Sequence, residues 1–254
     1  MPAPRANAKL YLATSNAGKL EEVRALASAV SSPAVAAAGT SARISPSSIF
    51  SRFEFAALPN FSSLPAFDEI WPTFAENATG KALHYSRTTD HLVLADDSGL
   101  VVPALGGAPG VHSARYAGPN ATDADRVAKL LTAMRGREGD QRAAHFVCVI
   151  AVACRGAMQA VVSAHAEGAL LDSPRGVGGF GYDPIFFFPP LGKTFAEISR
   201  EEKNLHSHRG VAFRKVMEFL ANEMPRPADP GAAPNRREGE TRDDDGVWYS
   251  PAPK

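Results

Sequence analysis

Two adjacent carboxylates, Asp96 and Asp97, stand between an apolar run at residues 92–95 (LVLA) and the small pair Ser98-Gly99. The run reads as a short strand buried on both faces that ends where the carboxylates begin. Open α/β sheets bind ligands in the crevice beyond the carboxyl ends of their strands, so both aspartates lie where chemistry is expected. Side chains alternate along a strand, which points the two to opposite sides and gives them different tasks. The plain alternative is that DDSG only caps a turn. A partner for Asp97 is Glu76, in Thr73-Phe74-Ala75-Glu76, which has capping-box spacing with Thr73 as N-cap. Glu76 has two readings: it satisfies a backbone amide, or with Asp97 it holds a divalent cation, since Mg²⁺ takes carboxylate oxygen. The spacing leaves both open.

Three further places suit an anionic or planar ligand. Ser15-Asn16-Ala17-Gly18-Lys19 lies between a strand candidate at 9–14 and a helix candidate at 20–30. A helix entered through a small-residue turn presents unpaired amides to an anion, and Lys19 adds a point charge. The same residues also make an ordinary turn with Ser15 or Asn16 as helix cap. Gly106, Gly107 and Gly110, with Pro103 and Pro109, shape a tight loop, and Arg115 beyond it offers a guanidinium fork to phosphate. Gly176, Gly178, Gly179 and Gly181 surround Phe180 and lead into Tyr182-Asp183-Pro184. That loop suits stacking and edge recognition of a planar ring, although glycine-rich hairpin loops need no ligand.

Gly192-Lys193-Thr194 has the look of a P-loop end, but the motif needs a glycine five residues before Gly192, and that position is Phe187. A Walker-type site is excluded. Glu201-Glu202-Lys203-Asn204 precedes Ser207-His208-Arg209-Gly210, with Ser207 as N-cap of a helix over about 211–224. His208 and Arg209 then sit at a helix's positive end, unfavourable for cations unless an anionic or electron-rich group compensates. This points to a ligand.

The elements that must position these residues follow from the patterning. A helix from Thr73 to about Arg87 puts Asn77 and Lys81, four apart, on one face. A second helix spans 122–134, capped by Thr122. Strands at 143–153 and 159–168 turn at Arg155-Gly156 as an antiparallel hairpin, with His145 and His165 read as ordinary packing. The last helix has one apolar face of Ala212, Phe213, Val216, Met217, Phe219 and Leu220. Residues 39–72 are rich in Ser and Pro yet hold Ile44, Ile49, Phe50, Phe53, Phe55, Phe61, Phe67 and Trp71, too aromatic for simple disorder. They read as an excursion docked on the body or on a partner chain. Residues 225–254 are Pro-rich and charged, and read as a disordered tail.

Composition removes several classes. Among 254 residues, Lys plus Arg equals Asp plus Glu at 27 each, without the basic footprint of a nucleic-acid or membrane-surface binder. No apolar run has membrane-span length, and MPAPRANAK is no secretory signal, so the expected location is cytoplasmic. Cys148 and Cys154 fall on one strand face about 20 Å apart, too far for a disulfide and too few for a metal site.

Together these pieces resemble one family. LATSNAGKLEEV, TFAENATGKA, LADDSGLVVPALGGAPGVHSARYAG, GGFGYDPIF, GKTFAEIS, EEKN and SHRG are similar, in order over about residues 9–223, to segments of the noncanonical purine nucleoside triphosphate pyrophosphatases. These are the Ham1-like inosine/xanthosine triphosphate house-cleaning enzymes. The resemblance implies an α/β fold over about 1–224: an elongated mixed β-sheet with flanking helices, and two lobes around a central nucleotide cleft. It also implies a homodimer and Mg²⁺-dependent hydrolysis of ITP, dITP or XTP to the nucleoside monophosphate and pyrophosphate. Carried over residue by residue, Thr14, Ser15, Asn16, Ala17, Gly18 and Lys19 would hold the triphosphate, with Lys81 and Arg115 as helpers. Asp97 would be the base activating water, and Glu76 with Asp97 would hold the metal. Ser98, Phe180, Gly181, Tyr182, Asp183, Lys203, His208 and Arg209 would complete the substrate site.

The implied chemistry agrees with the residue types. Cleaving the α–β anhydride needs an in-line water, a base, and cations to neutralise developing charge. Hypoxanthine and xanthine carry an acceptor oxygen at C6 where adenine carries a donor amine, so donors from His208 and Arg209 would reject adenine. The rivals are a pyrophosphatase for pyrimidine or other modified nucleotides, and a catalytically silent nucleotide binder. Two features depart from the family pattern: the 39–72 segment is long, and the tail is additional.

Overall fold

The computed structural model describes residues 8–14, 17–29, 53–223, 241–242 and 248–249. In chain order the elements are β1 (Ala8–Leu12), α1 (Ala17–Ala29), β2 (Phe53–Ala57), α2 (Phe74–Ser86), β3 (Leu92–Val101), α3 (Asp123–Ala133), β4 (Ala143–Cys154), β5 (Ala157–Leu170), β6 (Phe186–Phe188), β7 (Lys193–Thr194), α4 (Arg200–His206) and α5 (His208–Glu223). One seven-stranded sheet runs β2-β1-β3-β4-β5-β6-β7. Strands β2, β1 and β3 are parallel, and the remaining ladders are antiparallel. This is the mixed α/β sheet that the resemblance implies. The chain divides after Phe219, and the described strands of the second unit form a ladder pairing Thr241 with Tyr249 and Arg242 with Trp248. The rest of the segment read as a tail lies outside the described residues.

The 39–72 excursion turns out to build part of the sheet. Its residues Phe53–Ala57 form edge strand β2, in register with Ala8–Leu12. Phe53 is buried, and the Phe55 ring meets Phe213 of α5 at 5.6 Å between centroids. Further along, Phe61, Leu64 and Phe67 pack against the core that α2 covers. Ile44, Ile49 and Phe50 lie outside the described residues.

Strand β3 corrects a second expectation. It does not end at the carboxylates but runs ten residues, with Asp96 opposite Ile150 and Asp97 opposite Val149 on β4. Strand β4 is apolar and long enough to keep the ladder intact through both. On its other edge β3 loses its partner: β1 stops at Leu12, opposite Leu94. The crevice beyond parallel strands therefore opens at the end of β1, and the aspartates face it from the middle of β3.

Two cores lie along β3. Val93 and Ala95 pack with Ala151, Ala153 and the α2 residues Ala78, Ala82 and Tyr85. Leu100 and Val102 pack with Phe146, Phe186, Phe195 and the α3 residues Val127 and Leu130. Truncating a fully buried ring such as Phe186 to Ala would destabilise by about 3–5 kcal/mol. These cores are the two lobes, and the carboxylates lie between them. Gly99 marks the crossing, because a Cβ there would overlap Gly110 O and Ser113 Oγ.

Both helices that start beside the cleft are capped as the sequence predicts. The Thr73 hydroxyl accepts from Glu76 N at 3.2 Å, and Thr122 and Asp125 make a full capping box. No helix among the described residues is long and apolar enough to cross a membrane. Cys148 and Cys154 are free, and burial pushes the Cys148 thiol up to about 12, an inert state.

Candidate active site

A cavity of about 590 Å³ lies between the lobes, within the usual range for a small-molecule site. Asp97 lines this cavity, and Asp96 projects from the opposite face of β3. Asp96 Oδ2 meets Lys19 Nζ at 3.0 Å and Arg209 Nε at 3.4 Å, and accepts from Ser98 Oγ at 3.3 Å. Burial would raise its pKa, but the charges of Lys19, Arg209 and Lys81 hold it well below the usual carboxylate range. Asp96 is a fixed anion.

Asp97 differs in each respect. Its Oδ1 accepts from Ser98 N at 2.9 Å, while its buried Oδ2 has no hydrogen-bond partner. Burial, then repulsion from Glu69, pushes its pKa up to about 6 against Lys19, Lys81 and the Asn77 amide. A carboxylate with an unengaged buried oxygen and a pKa near neutrality can exchange a proton with water or ligate a cation.

Glu69, rather than Glu76, lines the cavity together with Asp97. Glu76 is exposed at the start of α2, accepts from Thr73 Oγ1 at 2.7 Å, and does not line the cavity. Glu69 does line it and forms an ion pair with Lys81, whose Nζ also donates to Asp96 O at 3.1 Å. Among the described residues no cluster of three or more His, Cys, Asp or Glu could hold a metal. Two carboxylates are nevertheless enough for Mg²⁺ when substrate phosphates and water supply the other ligands.

The phosphate end collects cations. Thr14 and Lys19 line the cavity where β1 gives way to α1, while Ser15 and Asn16 lie outside the described residues. Arg115 also lines it, with Nη2 donating to Glu69 O at 2.9 Å. It thus bridges the lobes as well as facing the cavity.

The opposite end is built around the glycine-rich loop. Asp183 Oδ2 accepts from Phe180 N at 2.8 Å and from Lys203 Nζ at 2.6 Å. Gly179 has φ +71°, and a Cβ there would overlap the Asp183 carboxylate, so the tight fold of this loop requires glycine. Gly181 N donates to Asp123 Oδ2 at 2.6 Å, and the Tyr182 hydroxyl donates to Ser113 O at 2.9 Å. Asp183 and Tyr182 therefore shape the loop, and Phe180 lines the cavity with Lys203 Nζ 4.7 Å from its ring centroid.

Beneath Phe180 lies a buried ionic network that the sequence reading did not foresee. Glu22 of α1 binds Lys203 Nζ at 2.7 Å and also pairs with Arg209 Nη1. Arg209 Nη2 donates to Ser98 Oγ at 2.7 Å. The unfavourable cation at the helix start is compensated by Glu22 and Asp96. His208 avoids the conflict differently: burial and the charges of Arg209 and Lys203 lower its pKa well below 6.5, leaving it neutral. Its ring stacks on Phe146 at 4.7 Å between centroids, and its buried Nδ1 has no hydrogen-bond partner.

Across residues 10–219, which carry this whole site, the chain matches the Ham1 family. The chain belongs to the Ham1 family. Among similar proteins, the dITP/XTP pyrophosphatase of Geobacillus kaustophilus (strain HTA426) is 46% identical over 210 residues, 83% of this chain and 93% of that protein. The dITP/XTP pyrophosphatase of Gloeobacter violaceus (strain ATCC 29082 / PCC 7421) is 47% identical over 208 residues, 82% of this chain and 92% of that protein. A HAM1 protein from Coxiella burnetii has a similar structure, with TM-score 0.68 and 38% identity over 85% of this chain and 99% of that one. The Staphylococcus aureus Ham1 protein gives TM-score 0.69 at 33% identity, with the same coverage of both chains.

In this Ham1 chain the candidates Thr14, Lys19, Lys81, Asp97, Ser98, Arg115, Phe180, Gly181, Tyr182, Asp183, Lys203, His208 and Arg209 line one cavity. Ala17 and Gly18 lie in the first turn of α1; Gly18 is not among the lining residues, and the Ala17 side chain is outside those described. Glu76 stands apart. Glu69, Glu22 and Asp123 join the site without having been singled out. Glu22 follows Lys19 by one helical turn, a spacing that could have flagged it. Glu69 lies in an aperiodic segment beside Asp68, where no pattern distinguishes one acid from the other.

Proposed function

We propose that this Ham1 protein hydrolyses noncanonical purine nucleoside triphosphates (ITP, dITP and XTP) to the monophosphate and pyrophosphate. The observation that carries this is Asp97: a buried carboxylate oxygen without a partner, in a cleft with cations at one end and an aromatic loop at the other. With the triphosphate against Lys19, Lys81 and Arg115, Asp97 accepts the proton of the water attacking the α–β anhydride. Asp97 and Glu69 fit a divalent cation such as Mg²⁺, since both offer hard oxygen and their repulsion is relieved by positive charge. When bound, that cation would neutralise charge developing on the phosphate oxygens.

At the base end, Phe180 stacks on the purine and His208 faces its edge. The Arg209 guanidinium is committed to Glu22, Asp96 and Ser98. The donor that distinguishes a C6 oxygen from an adenine amine therefore falls to His208, and adenine leaves that donor unpaired. We further take the protein as a cytoplasmic homodimer that clears these nucleotides from the pool. Light scattering of the purified chain checks the dimer.

The test is pyrophosphate release from ITP, XTP, ATP and GTP, with Mg²⁺ and with chelator. Fast release from ITP and XTP, abolished by chelator, is expected. Equal release from ATP would contradict the base assignment, and metal-independent release would contradict the cation assignment.

A further inference from the structure

Glu69 lies where the core-packed side chains of its segment, ending at Phe67, give way to exposed ones. The residues that follow it, Ile70 and Trp71, are 76% and 48% exposed. Hydrogen bonds to the main chain hold this segment instead. The Tyr85 hydroxyl accepts from Phe67 N at 3.2 Å, and Arg115 Nη2 donates to Glu69 O. The most specific contact comes from Asn77, whose carboxamide grips one residue twice. Trp71 N donates to Asn77 Oδ1 at 3.1 Å, and Asn77 Nδ2 donates to Trp71 O at 3.1 Å.

Asn77 is fully buried in the first turn of α2, one turn before Lys81, the ion-pair partner of Glu69. One side chain thus ties the segment that carries Glu69 to the helix that carries its ion-pair partner Lys81. A purely structural asparagine would need only its own polar atoms satisfied. Here donor and acceptor are both spent on the main chain of a single residue, which fixes the distance and the orientation of that segment. Aspartate lacks the donor, and serine lacks the reach.

We propose that Asn77 is a positioning residue: by clamping the Trp71 backbone it sets Glu69 against Asp97, so that the two carboxylates share one divalent cation. The proposal rests on the cation reading of those two residues.

The chain holds two tryptophans, so Trp248→Phe leaves Trp71, two residues from Glu69, as the sole tryptophan, excited selectively at the red edge where tyrosine does not absorb. In that background, two quantities are measured for Asn77→Ser and for Ser86→Ala. One is acrylamide quenching of Trp71, and the other is the Mg²⁺ dependence of pyrophosphate release from ITP. Ser86 is a control, buried in the same helix and bonded to Leu83 O and Gly156 N, away from the Glu69 segment. Asn77→Ser is expected to raise the quenching constant about twofold and the half-saturating Mg²⁺ concentration about tenfold, with kcat at saturating Mg²⁺ within about twofold. Ser86→Ala should move neither quantity. Unchanged quenching in a folded Asn77→Ser protein overturns the proposal alone. Raised quenching with unchanged Mg²⁺ dependence overturns the shared cation site, and the proposal with it. Should Asn77→Ser not fold, Asn77→Ala removes both bonds to Trp71 without adding charge or an unpaired polar group, and carries the same expectation.

Discussion

Asp96 and Asp97 are neighbours on one strand, yet their carboxyl groups are perturbed in opposite directions. Asp96 is held ionised by Lys19 and Arg209 against its burial, while burial and Glu69 push Asp97 up to about 6. Strand alternation accounts for the difference, since it sends one side chain toward α1 and α5 and the other toward α2 and the Glu69 segment. One carboxylate organises cations and the other remains available to react.

This predicts an acid limb in the rate. With Mg²⁺ well below saturation, kcat/KM should fall about tenfold per pH unit below about 6, as Asp97 takes up a proton. Saturating Mg²⁺ should move the limb to lower pH, because a cation on Asp97 competes with the proton. A profile flat from pH 7 to 5 would contradict the assignment.

The same perturbation has a stability consequence. A folded-state pKa of about 6 against an ordinary 3.8 means that folding favours protonated Asp97. Its contribution is full below the ordinary value and is lost as pH rises through about 6. At pH 7 the neutral Asp97→Asn protein should therefore be more stable than wild type, by roughly 1–3 kcal/mol, with Tm a few degrees higher. Thermal unfolding at pH 7 and pH 4 checks this, and the gain should shrink at the lower pH.

Glu69→Gln and Glu76→Gln separate the two acids. Glu69→Gln should raise the half-saturating Mg²⁺ concentration by about tenfold or more. Glu76→Gln should shift it less than about twofold and remove at most about 1 kcal/mol of helix capping. The Mg²⁺ titration of ITP hydrolysis decides between them.

Glu22→Gln should act through the buried network. It weakens the compensation of Lys203 and Arg209, and losing one partner of a buried pair costs about 3–5 kcal/mol. The Glu22 pKa is lowered, as Arg209 and Lys203 outweigh its burial, so its stabilisation is present at neutral pH and is lost as the pH falls through that lowered value. Denaturant unfolding should show a large deficit at pH 7 that narrows in acid.

His208→Phe keeps a ring to stack on Phe146 but removes the donor. The preference for ITP over ATP should drop by about tenfold to a hundredfold, through a fall in kcat/KM for ITP. Unchanged selectivity would move the discrimination elsewhere.

Much of this site was legible in sequence because its residues sit in local signals. Thr73 and Thr122 cap helices by spacing alone, two strand-like runs flank the Arg155-Gly156 turn of the hairpin, and Ser207 announces the helix that places His208 and Arg209. At Glu76 the spacing left capping and metal binding open, and the structure shows the capping contact with Thr73. Glu69 could not be seen because backbone hydrogen bonds from Asn77 and Arg115 place it, and neither leaves a periodicity. The continuation of β3 through two aspartates was hidden for a similar reason, because β4 sustains it from about 50 residues away. Strand β2 was concealed by its setting: FEFAA is five residues inside a Ser- and Pro-rich stretch.

The central claim is that Asp97 removes the proton from the attacking water while the rest of the cleft binds the nucleotide. The most direct test is Asp97→Asn, assayed for pyrophosphate release from ITP in a single turnover and for ITP binding by calorimetry. Turnover reduced by about a thousandfold or more, with ITP affinity within about tenfold of wild type, is the predicted result. Full turnover in the folded variant would contradict it.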